Sequence, residues 1–229
     1  MEKVIGLVIA TIEEFKAIFG NTNINYKTIE EYPFVIEELE IEGKKIVAIN
    51  SGVGEVYAAI ATQYLIDHYK PTLILNYGVV GSLRDDLNLK STIIIDKIFD
   101  YEFDTSAIDH CPLGFREEFN SIYVKGIDEN YKEFINKKFP SLELVNCASG
   151  NKFIADINVK NELFTKYHCS ICEMEALGIT LTAIKNNIPT LFIKGVSDTK
   201  TGGANEFSKM IKESSSTTFQ LVVELIKEI

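Results

Sequence analysis

Five acidic side chains stand at or just past the ends of apolar runs that read as strands. They are Glu13 and Glu14 after VIGLVIA, Glu173 and Glu175 within CSICEME, and Asp198 closing LFIKGVSD. Carboxylates can give and take protons, and they can face a positive charge that develops during a reaction. In open α/β sheets, ligands collect outside the carboxyl ends of strands, where loops and helix starts converge. An acid at a helix start is also favoured by the macrodipole alone, so position nominates these residues without choosing among the four glutamates. Two glycine-rich stretches add a second signal. Ser51-Gly52-Val53-Gly54 opens a helix and Gly78-Val79-Val80-Gly81-Ser82 follows a strand, where a tight turn or a close approach of backbone to a ligand would explain them. Neither is a dinucleotide fingerprint or a P-loop. Cys169 and Cys172 form a C-x-x-C, but with no second pair and only three histidines the reading is buried thiols on a strand, and no metal is expected.

The elements that must carry these residues follow from apolar patterning. Buried-strand runs recur between helical stretches, the pattern of a sheet covered on both faces. VIGLVIA (4–10) leads to a short helix from near Glu13. FVIEELEI and KKIVAINS read as strands joined by the turn Glu42-Gly43-Lys44. Residues 55–69 have helical spacing, and Pro71 ends that helix before the strand TLILNYG. STIIIDKIFDYEF reads as a long strand, 120–140 as a loop and a helix, and LELVNCA as a strand. CSICEME is a further strand feeding a helix from Ala176; LFIKGVS is the last strand, and 205–229 should close the fold as a long helix. The expected architecture is a single domain over residues 1–229, a three-layer α/β/α arrangement with a central mixed, twisted sheet flanked by helices.

Composition narrows the partners. The chain has 229 residues, 46% of them apolar, enough to bury a sizeable core. A net charge of -10 disfavours nucleic acid, whose binding depends on a cationic surface, and favours a small molecule. No apolar stretch approaches a membrane-spanning length, and the amino end MEKVIGLVIATIEE lacks the marks of a signal peptide. Four scattered cysteines do not form a disulfide framework, and the cytoplasm is the expected compartment.

The runs SGVGEVYAAIATQYLIDHYKP, LNYGVVGSL, EMEALGI and VSDT, in this order and spacing, resemble the purine nucleoside phosphorylase superfamily. Within it the chain is most similar to the 5′-methylthioadenosine/S-adenosylhomocysteine nucleosidases, over nearly its whole length. The resemblance implies that Glu14 activates water, that Met174 packs under a ribose whose hydroxyls Glu175 binds, and that Asp198 protonates the purine with Ser197 orienting it. It implies further that Phe153 stacks on the base while Ile154 reads its edge, that Phe207 covers it, and that Val80 and Gly81 line the same pocket. No cofactor is implied. Cleaving an N-glycosidic bond needs a protonated leaving base, a stabilised oxocarbenium-like sugar and an activated water on the opposite face, work that three carboxylates can share. Asp198 should then have a raised pKa and Glu14 should stay ionised.

Water is the expected nucleophile. A bound phosphate calls for arginine forks or a cationic nest, and the chain has only Arg84 and Arg116, neither in the first loop nor in the glycine stretch at 78–81. Two positions depart from the family pattern: Val79 stands where a serine is usual, and Lys194 where an arginine is common, so a planar fork becomes a point charge. The segment DYEFDTSAIDHCPLGF, with Phe103, Ile108 and Phe115, resembles the part of the family that reaches across a dimer interface, and a homodimer is the expected assembly. The alternatives are a phosphorylase or a nucleosidase for another purine nucleoside, and a nucleoside binder of the same fold without chemistry.

Overall fold

The computed structural model describes residues 3–20, 24, 26–31 and 33–229; Met1 and Glu2, at the start of the amino-terminal stretch, lie outside the described residues. The first half of the chain runs β1 (Val4–Ile9), α1 (Ile12–Gly20), β2 (Tyr26–Glu31), β3 (Phe34–Ile41), β4 (Lys44–Asn50), α2 (Glu55–Tyr69), β5 (Leu73–Ser82) and β6 (Thr92–Asp100). A short α3 (Ser106–Asp109) precedes β7 (Tyr123–Lys125), α4 (Glu129–Lys138), β8 (Glu143–Ser149) and α5 (Ile157–Thr165). The chain ends with β9 (Ile171–Glu173), α6 (Ala176–Lys185), β10 (Thr190–Asp198) and the long α7 (Gly203–Glu228).

The strands form one mixed sheet in the order β10-β6-β8-β9-β5-β1-β4-β3-β2, with β7 on β6. Because β10 also pairs with β5, the strands β5, β10, β6, β8 and β9 close on themselves, and only the β1-β4-β3-β2 side stays open. Period-2 alternation decides which face each residue serves. In β1, Ile5, Leu7 and Ile9 join one core with Phe15 and Ile18 of α1 and Phe219, Val222, Leu225 and Ile226 of α7. Val8 points the other way, into a core with Ala58, Ala61 and Leu65 of α2 and Leu177 and Ile179 of α6. The expected sheet between two helical layers is thus present, its two faces covered by the α1/α7 and α2/α6 sets.

Several expected elements stop short, each for a local reason. The strand expected over 91–103 ends at Asp100, whose Oδ1 accepts from the N–H groups of Glu102 and Phe103 and turns the chain. The strand expected over 169–175 is only Ile171–Glu173. The N–H of Ser170 is taken by Asn146, and Glu173 ends the strand by capping α6, accepting from the N–H groups of Glu175 and Ala176. Cys169 therefore lies before the strand, and both it and Cys172 are buried free thiols. Gly78–Ser82 is no turn after β5: it is the second half of β5. Strands β2 and β7 and helices α3 and α5 were not read from the sequence. Among the described residues, no helix is long and apolar enough to cross a membrane.

Candidate active site

Glu14 is placed by a reciprocal cap. Its carboxylate accepts from the Thr11 N–H at 2.9 Å and the Thr11 hydroxyl at 2.8 Å, while its own N–H donates to Thr11 Oγ1 at 3.2 Å. This Thr-x-x-Glu box fixes the start of α1. The other carboxylate oxygen accepts from the Val79 N–H at 2.7 Å, and Glu14 is 3% exposed. Gly78 makes that approach possible, since a Cβ there would lie 2.8 Å from Glu14 Oε1. Further along the same strand, a Cβ at Gly81 would lie 3.0 Å from Asp198 Oδ2. The glycines of β5 therefore give room to two carboxylates. Three residues of extended strand separate the points where the two acids meet it, about 10 Å.

Asp198 ends β10, buried, with Lys160 Nζ 3.0 Å from Oδ2 and the Ser197 hydroxyl donating to Oδ1 at 3.2 Å. Burial raises its pKa and the Glu206 charge adds to the rise, against the opposing Lys160 ammonium and Ser197 hydroxyl. The upward half of the expected split is thus present. Glu175 stands at the start of α6 and accepts from the Gly54 N–H at 2.8 Å, a donor presented by a glycine at φ 104°. Burial first, then the neighbouring Glu173 carboxylate, push Glu175 up to about 8, with Lys194 and the Gly54 N–H pulling the other way. Glu173 and Glu175 are now distinguishable: Glu173 caps α6 and pairs with Lys194 Nζ at 3.3 Å, whereas Glu175 reaches across to the glycine loop. Burial works against the Lys194 charge, but the carboxylates of Glu173, Glu175 and Glu14 outweigh it and hold its pKa above the ordinary value.

A cavity of about 700 Å³ unites these groups. Glu14, Glu175, Asp198, Met174, Phe153, Ile154, Ser197, Phe207, Val80 and Gly81, the ten residues nominated from sequence, all line it. Phe153 and Phe207 meet edge to face with ring centroids 5.4 Å apart, and Phe153 is 45% exposed, so the aromatic pair stands at the mouth. Val79 lines the wall beside Glu14; its side chain cannot hydrogen-bond, but its N–H does. The loop after Asp198 is shorter than the glycine-bearing 199–206 stretch, because α7 already begins at Gly203 and Glu206 accepts from the N–H and hydroxyl of Thr199. Both arginines are engaged elsewhere, Arg84 with Asp86 and Glu143, Arg116 with Asp100. A larger cavity of about 930 Å³ lies at the opposite end of β10, between β7, α4 and the 187–190 segment. Its one carboxylate, Asp128, caps α4, so size alone does not make it the reactive site.

Three residues matter to this geometry beyond those ten. Lys160, on the unread helix α5, is fully buried against Asp198; Gly54 supplies the N–H to Glu175; and Thr11 cages Glu14. Thr11-x-x-Glu14 was legible as a capping signature. Nothing in the spacing of a lone lysine announced Lys160. Among the described residues there is no group of three or more metal-binding side chains.

The model of the phosphorylase superfamily matches residues 4–227. The chain belongs to that superfamily. Its curated relatives include the 5′-methylthioadenosine/S-adenosylhomocysteine nucleosidase of Staphylococcus haemolyticus, 26% identical over 96% of this chain and 98% of the relative. Another is the aminodeoxyfutalosine nucleosidase of Helicobacter pylori, 25% identical with both chains covered completely. A crystal structure of the Helicobacter pylori 5′-methylthioadenosine/S-adenosyl homocysteine nucleosidase superposes with a TM-score of 0.90 at 24% identity, covering 99% of each chain. The resemblance read from the ordered motifs is borne out, as is the mixed α/β fold.

Proposed function

We propose that this chain is a hydrolase that cleaves the N-glycosidic bond of 5′-methylthioadenosine and S-adenosylhomocysteine and releases adenine. The observation that carries the reading is the convergence of the buried carboxylates of Glu14, Glu175 and Asp198, from three separate segments, on one cavity of about 700 Å³, with Glu14 and Asp198 meeting β5 at points about 10 Å apart. In the proposed step Asp198 gives its proton to a ring nitrogen of the base as the bond to the sugar carbon breaks. Glu175 binds the hydroxyls of the sugar and holds it in place. Glu14 takes a proton from water as the water oxygen bonds to that carbon, and the protons re-equilibrate with solvent after release. Met174 lies under the sugar, and Phe153, Ile154 and Phe207 surround the base.

Hydrolysis is favoured over phosphorolysis because neither arginine lines the cavity. Incubation with 5′-methylthioadenosine, with and without phosphate, tests this. Adenine release independent of phosphate is expected, falling by about 10²–10⁴-fold in Glu14→Gln and in Asp198→Asn. A phosphate requirement would favour a phosphorylase, no release would favour a binder, and near-normal turnover in either variant would remove that residue from its role. A second reading, a different purine nucleoside as substrate, draws on the full-length relative named for aminodeoxyfutalosine and on the apolar Val79 in the wall. The same assay with that nucleoside discriminates.

A further inference from the structure

Lys160 sits on the face of α5 that also carries Leu163, and both side chains are buried. A lysine with no exposed surface is retained where its charge is matched, since an unpaired buried ammonium is costly. Here the match is specific: Nζ donates to Asp198 Oδ2 and to the Thr199 carbonyl, each at 3.0 Å. One ammonium thus grips the side chain and the main chain at the end of β10, while Ser197 holds the other oxygen of Asp198. Thr199 is in turn held by Glu206 in the first turn of α7, next to Phe207. Among the described residues, the charged or titratable groups facing Asp198 are Lys160 from α5, Glu206 from α7 and Cys172 from β9, and of these three only Lys160 favours its anion.

We infer that Lys160 is a positioning residue for the proposed acid: it fixes the direction of the Asp198 carboxyl and, through its charge, sets the upper end of the pH range in which Asp198 holds a proton. The inference rests on the reading of Asp198 as the group that meets the base. Its test does not need turnover. Adenine affinity is measured by calorimetry across pH for the parent protein, Lys160→Met and Lys160→Arg, alongside base release from 5′-methylthioadenosine. In the parent, affinity should fall as Asp198 loses its proton. Lys160→Met should move that fall upward by about 1–3 pH units, because the cation that favours the anion is gone. It should also lower kcat about 10- to 100-fold, because the carboxyl is no longer held in line. Lys160→Arg, which keeps the charge, should leave the fall where the parent has it.

A Lys160→Met curve that superimposes on the parent's overturns the inference, as does an arginine variant that moves the curve as far as methionine does. If Lys160→Met shows no cooperative melt, Lys160→Gln is read in its place. A shifted binding curve without base release rejects the hydrolase reading and keeps this one; base release with an unshifted curve does the reverse. A parent that binds adenine at no pH removes both.

Discussion

In the proposed reaction one carboxylate takes a proton and another gives one, and the two have different surroundings. Glu14 is met by three donors, the Thr11 N–H and hydroxyl and the Val79 N–H, an arrangement suited to an acceptor. Asp198 lies where burial favours its neutral form. Glu175 is shifted in the same direction, and its pKa has a consequence for stability. Its folded value of about 8 stands above the ordinary 4.5, so between these two pH values the folded protein holds a proton that the unfolded chain has released. The stability this proton confers is therefore present at low pH and is lost as pH rises towards 8. Glu175→Gln, which cannot ionise, should flatten the decline, so that the variant gains several degrees in Tm relative to the parent between pH 5 and pH 8, as read by thermal melts. Parallel Tm curves would show that Glu175 does not carry the proton.

At the level of elements, close approach decides where the acids go. Helices α2 and α6 cross so tightly at Gly178 that a Cβ there would lie 2.2 Å from the Glu55 carbonyl oxygen, a backbone atom that cannot step aside alone. Gly178→Ala should cost about 1–3 kcal/mol or more, and a loss of roughly 2–4 °C in Tm accompanies each kcal/mol in a chain of this size. Gly78→Ala meets a side chain instead, that of Glu14, so it should reduce activity with a smaller loss of Tm. Equal effects of the two variants on both readouts would contradict this division. These glycines were visible in the sequence, but as candidate turns. In fact Gly78 and Gly81 lie inside a strand and leave space for carboxylates from two other segments, and no local pattern records what a glycine makes room for. Helix α5 went unread, although Asp156 caps it by accepting from the Asn158 N–H.

At the level of the whole molecule, one face of α2 is uncovered. Val56, Tyr57 and Ile60 are 67%, 61% and 52% exposed, and Val53 just before them is exposed as well while lining the active-site cavity. Asn151 joins this end of α2 to the 100–115 segment: it exchanges hydrogen bonds with Glu55, and its N–H donates to Glu102. In that segment Ile108 is 86% exposed, whereas Phe103 is half-buried beneath the Arg116 guanidinium. Exposed apolar side chains grouped on one helix face mark an interaction site, and we propose that a second copy of the chain covers it. Sedimentation should show a dimer, and Ile60→Asp should shift it to monomer. A monomeric parent at micromolar concentration would overturn the proposal.

Periodicity by itself determined the layers and most of the strands, because alternation, helical spacing and strand ends are local properties of the chain, and the family resemblance of the ordered motifs supplied ten of the residues that line the cavity. What only the tertiary structure decided is how these residues are held. Glu173 and Glu175 are alike in sequence, and they part company because one oxygen finds Lys194 and the start of α6 while the other finds the Gly54 N–H, 121 positions away. Lys160 is an ordinary lysine until folding removes it from water and sets Asp198 against it. Burial and long-range pairing set the surroundings of these groups, and both are products of the packed fold rather than of any stretch of neighbouring residues.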